Sequence, residues 1–187
     1  MKSFRVHFVN CIPAFLLILP ALAGCTSARI PGNPHLEAID AIRAALELPA
    51  SPLEFIENTF MANSPTGGLQ VAVYQDADGR KYSVDPGSNR VVEIDARQLL
   101  DSIPSNALLL SEEELKAKAW KYARATIPDF EALQTNWSYE AGSKGDNYFY
   151  TWYENIQPGS MNRRFAQIAL HKSGLLFAYY NTLLIDK

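Results

Sequence analysis

The feature that most constrains the fold is a pattern that occurs twice: one amphipathic helix followed by four short strands joined by turns. The first occurrence starts at Asn33, a residue suited to a helix cap, with Pro34 at the first helical position. Leu36, Ile39, Ile42 and Leu46 then recur at helical spacing, and Pro49 and Pro52 stop the helix. Leu53 to Met61, Leu69 to Tyr74, Arg80 to Val84 and Arg90 to Ile94 read as strands. Asn63 to Gly68, Asp76 to Gly79 and Asp85 to Asn89 read as the turns between them.

The second occurrence starts at Ser111, which forms a capping box with Glu114. Leu115, Ala119, Tyr122, Ala123 and Thr126 line one helix face, with Trp120 alongside, and Pro128 closes it. Leu133 to Glu140, Tyr148 to Glu154, Arg163 to Leu170 and Leu175 to Thr182 read as its strands. In the last hairpin Gly174 stands where Asn89 stands in the first half. The spacing predicts an α+β protein of two repeated units, 35–96 and 111–187. Each unit is one helix packed on a four-stranded antiparallel sheet. Residues 97–110 hold Leu99, Leu100, Ile103 and Leu108 to Leu110, too apolar for a free linker, and are expected to pack between the units.

Ahead of both lies an N-terminal address. Lys2 and Arg5 precede an apolar centre, Ala14 to Leu19, bracketed by Pro13 and Pro20. The run is shorter than the ~20 residues of a spanning helix and contains Asn10. Leu22-Ala23-Gly24-Cys25 resembles the bacterial lipobox. That resemblance implies a signal peptide over 1–24, cleavage before Cys25, and acyl chains, palmitate among them, on the Cys25 end. Two or more chains anchor a protein stably. Residues 25–34 then read as a tether lifting the domain off the membrane. Thr26 in place of aspartate implies the outer membrane where there are two, and the cell membrane's outer face where there is one.

Cleavage of residues 1–24 takes Lys2 and Arg5 but no acid, so the formal charge falls from −3 to −5. An acidic surface argues against nucleic acid as a partner. Cys11 leaves with the signal and Cys25 takes lipid, so the folded region has no thiol for a disulfide, a nucleophile or a metal. His35 and His171 read as separate surface residues, Asp76-Ala77-Asp78-Gly79 as a hairpin turn and not a calcium loop, and no metal or cofactor is expected.

The hairpins Tyr82 to Ile94 and Ile168 to Leu176, with the capped start Leu110 to Ala117, look like the PepSY family, small α+β units of secreted and membrane-attached bacterial proteins. Asn89 replaces a usual glycine, and Leu170 falls where the first half has Asp85. The resemblance implies a non-enzymatic binding role and regulation of a secreted peptidase, with no catalytic residues. The expected function is thus a membrane-anchored extracytoplasmic lipoprotein that binds a protein or peptide partner. The alternatives are a structural accessory of envelope assembly and a small hydrolase. No G-x-S-x-G elbow or phosphate loop supports the last. Aromatics crowd both faces of the strand Tyr148 to Glu154, more than one core face uses. They read either as a core face plus packing against the first unit or the linker, or as an exposed platform, and on the second reading Trp137, Tyr148, Tyr150, Trp152, Arg163 and Arg164 are the candidate partner surface.

Overall fold

The computed structural model describes residues 32–61, 68–155 and 164–183. Helix α1 spans Pro34–Ala45. The Asn33 side chain caps it by accepting the His35 N–H at 3.0 Å. Strands β1 (Leu53–Met61), β2 (Leu69–Asp76), β3 (Lys81–Asp85) and β4 (Arg90–Asp95) follow as an antiparallel meander. A 3-10 helix, Arg97–Ser102, leads toward α2, Glu112–Thr126. After the short α3 (Phe130–Leu133) come β5 (Trp137–Lys144), β6 (Asn147–Glu154), β7 (Phe165–His171) and β8 (Leu176–Asn181). No described helix is long and apolar enough to cross a membrane.

The strands do not form two sheets. They form one antiparallel sheet of eight, in the order β1-β2-β3-β4-β8-β7-β6-β5. This overturns the expected architecture of two units, each with its own helix and four-stranded sheet. The seam is a direct pairing of β4 with β8, Glu93 opposite Tyr180, Ile94 opposite Tyr179 and Asp95 opposite Ala178. The physical reason lies in the edges. A separate sheet would leave β4 or β8 with a row of unpaired backbone N–H and C=O groups, and joining the strands satisfies both rows.

The core confirms a single body. Ile39 and Leu46 of α1 and Leu115 and Ala119 of α2 belong to one apolar cluster with Tyr82, Ile94, Ile168 and Tyr179 of the sheet. Nothing lies between β4 and β8, so residues 97–110 are not an inter-unit filler. Leu100 packs with Ala169, Phe177 and Ala178 in a smaller cluster of its own, while Leu110 joins the main core. The Leu110 N–H also donates to the Lys172 carbonyl at 2.8 Å.

Local sequence signals hold where they rest on caps and turns. Asn89 and Gly174 both take a left-handed backbone, φ 54° and 83°. At Gly174 a Cβ would stand 2.9 Å from the movable Leu110 Cδ1, so the left-handed backbone is the main reason for glycine there. Each of these hairpins also carries a bulge at the same place, after Ser83 in one and after Ala169 in the other. The start of β5 differs from expectation. Asp129 adopts φ 53°, and the chain turns helical again through Leu133 before the strand begins at Trp137. This inserts Phe130 into the core, 5.6 Å from the Trp120 ring and 5.5 Å from that of Trp152.

The capping box of α2 is complete. The Ser111 hydroxyl accepts the Glu114 N–H at 3.2 Å, and the Glu114 carboxylate accepts the Ser111 N–H at 2.8 Å. Ser111→Ala is expected to lower folding stability by about 1 kcal/mol, read as a lower urea midpoint at unchanged slope.

Candidate partner-binding surface

Of the six residues singled out for a partner surface, five are described, and two of these, Tyr150 and Trp152, are buried. Tyr148, Tyr150 and Trp152 share a face of β6, as alternation requires, but that face lies under α2. Trp152 is 1% exposed and Tyr150 4%. Trp152 is ringed by Trp120 (5.9 Å), Phe130 (5.5 Å) and Tyr139 (5.5 Å). Burial pushes the Tyr150 phenol up to about 12. Trp137 and Tyr148 are half-buried at the rim, with the Tyr148 hydroxyl 3.4 Å from Glu112. Arg164 donates to the Glu154 carboxylate twice, at 2.8 and 2.5 Å, and to the Leu183 carbonyl. Arg163 and Cys25 lie outside the described residues.

The surplus aromatics of β6 have a structural explanation. Phe149 packs edge-on to Phe177 at 5.7 Å. Tyr153, Phe165 and Tyr180 run on as a row of rings at 6.2 and 6.4 Å. The sheet is therefore aromatic on both sides because it packs on both sides.

The histidines sit apart in local bonds, His35 Nδ1 3.0 Å from the Tyr74 hydroxyl and His171 Nδ1 3.0 Å from the Ser173 N–H. Among the described residues no three His, Cys, Asp or Glu side chains gather as a metal site would require.

Asp76 to Gly79 is a turn, closed by the Gly79 N–H on the Asp76 carbonyl at 2.9 Å. The Asp76 side chain points inward. It accepts the Tyr82 hydroxyl at 2.9 Å and the Arg80 N–H at 2.9 Å, and it lies 3.4 Å from both the Arg43 and Arg80 guanidiniums. The Arg43 guanidinium stands 4.8 Å over the Tyr82 ring, and burial outweighs that cation to push the Tyr82 phenol up to about 12. Sequence reasoning missed this centre. Its signal was Arg43 itself, which falls at i+4 from Ile39, inside the apolar stripe of α1.

The exposed apolar surface lies elsewhere, on the edge strand β1. Phe55 is 50% exposed, Ile56 42% and Phe60 68%. The other large apolar side chains comparably open to solvent are Leu108 and Leu109. A bulge between Phe55 and Glu57 interrupts the register at Ile56. Phe55 makes an edge contact with Tyr74 at 5.5 Å, and Tyr74 with His35 at 5.8 Å, so the strip begins beside the first turn of α1. As the end strand of the sheet, β1 also presents backbone groups with no neighbouring strand among the described residues. Between the helices an open groove of about 290 Å³ is walled by Ala38, Ala41, Ile42 and Ala125 over Tyr179, with no acid or histidine in its lining.

The chain matches no family model, and no curated protein or solved structure matches it.

Proposed function

We propose that this protein is a lipid-anchored extracytoplasmic binding protein, held at the membrane through Cys25, whose domain docks a protein or peptide partner. The observation that carries the binding role is the concentration of Phe55, Ile56 and Phe60 on one open sheet edge. Solvent-facing apolar groups cost free energy unless scattered or covered, and these three fall on one strand. The anchoring rests on Leu22 to Cys25, and the PepSY resemblance makes a secreted peptidase the favoured partner.

Two experiments test this reading. Cys25→Ala is expected to leave residues 1–24 attached and to remove the acyl mass from position 25, read by mass spectrometry of the purified chain. A mature product of unchanged mass would refute lipidation. For the partner, a photo-crosslinker at Phe60 in intact cells is expected to trap one protein. A peptidase supports regulation, an assembly component supports the accessory role, and no adduct overturns binding.

A further inference from the structure

Resting on that binding role, we infer that β1 takes its partner by strand addition, and that the partner's strand alternates apolar with basic side chains. Along Leu53–Met61 the outward backbone groups have no neighbouring strand among the described residues. Its charge is one-sided. Glu54 and Glu57 are exposed, and neither β1 nor β2 contains a lysine or arginine. The register places Glu54 opposite Gln75 and Glu57 opposite Val73, on the side of the sheet away from Tyr74. Phe55 and Phe60 stand on the other side, opposite Tyr74 and Gln70. An incoming strand therefore meets carboxylates on one face and phenyl rings on the other, which matches lysine or arginine alternating with valine-like residues.

A second copy of the chain fits poorly. Full antiparallel overlap of β1 with itself sets Glu57 against Glu57, with no cation on either strand to offset the repulsion. The opposite sheet edge, β5, ends in Ala141 to Lys144, small and polar, and lacks such an apolar strip. A lipid surface fits poorly as well, because carboxylates and unpaired backbone groups would be stripped of water.

The test uses the full chain in mild detergent and three blocked nonapeptides: alternating lysine and valine, alternating glutamate and valine, and the first with every backbone amide N-methylated. The lysine peptide is expected to bind saturably and to slow amide exchange in β1. The glutamate peptide should bind roughly tenfold more weakly, as reversal of two cross-strand charge pairs implies. The methylated peptide should not bind, having lost its main-chain donors. Glu54→Lys with Glu57→Lys should invert the charge preference, and Phe60→Ser should weaken binding without altering it. Equal binding of all peptides, or no binding, overturns the inference. So does a dimer that Glu57→Lys dissociates, or β1 protection by phosphatidylcholine vesicles in place of the peptide. If the crosslinked cellular partner still attaches to the doubly reversed variant, the binding role stands and the basic character of the partner's strand falls.

Discussion

Asp76→Ala is expected to cost about 3–5 kcal/mol of folding stability, because it leaves two guanidiniums buried with their shared anion gone. Arg43 is 3% exposed and Arg80 8%. Arg43 would keep the Ser51 carbonyl at 2.9 Å and the Tyr82 hydroxyl at 3.1 Å, but both are neutral acceptors. Asp40 lies 3.5 Å from Arg43, yet its own side chain is largely in water and returns little Coulomb energy. Arg80 retains Asp78 at 2.6 Å, so more of the penalty falls on Arg43. The check is urea unfolding of Asp76→Ala, Arg43→Met and the double variant. The double variant should lose much less than the two single losses added together, since it removes both members of the pair. Additive losses, or a loss below about 1 kcal/mol for Asp76→Ala, would show that the charges find water.

The second large effect belongs to Trp152. Trp152→Ala is expected to lower stability by about 3–5 kcal/mol, the cost of emptying a large site whose walls are themselves rigid aromatics. Trp120, Phe130 and Tyr139 are held by α2, α3 and β5, so the space cannot close without moving three elements. Trp152→Phe should cost far less. It keeps a ring in the cluster, and the indole N–H it removes meets no acceptor among the described residues. Far-UV circular dichroism on urea titration separates the variants. Equal losses would mean that the site is plastic and that the aromatic cluster is not the rigid part of the core.

Much of the local structure was legible in the chain. Asn33 and Ser111 announced helix starts because a short polar side chain before an apolar stripe has free N–H groups to satisfy. Asn89 and Gly174 announced equivalent turns because few residues enter the left-handed region cheaply. The candidate surface was less legible. Period two correctly put Tyr148, Tyr150 and Trp152 on one side of β6, but it does not say which side a helix will cover. Phe55, Ile56 and Phe60 read simply as strand residues, and their exposure comes from β1 lying at the end of the described sheet. Arg43 showed as a charge among apolar neighbours, but its partner lies 33 positions away, across two strands.

The order of the two long helices and eight strands, which residues of a strand share a side, and the positions of caps and turns came from the residues alone, because each depends on side-chain chemistry within a few positions. The joining of β4 to β8 came only from the tertiary structure. That seam is made of backbone hydrogen bonds, which every residue but proline can form, so no side chain records which edges will meet. Two short sheets with open edges and one wide sheet with shared helices use the same local pattern, and the added pairing and common core decide between them.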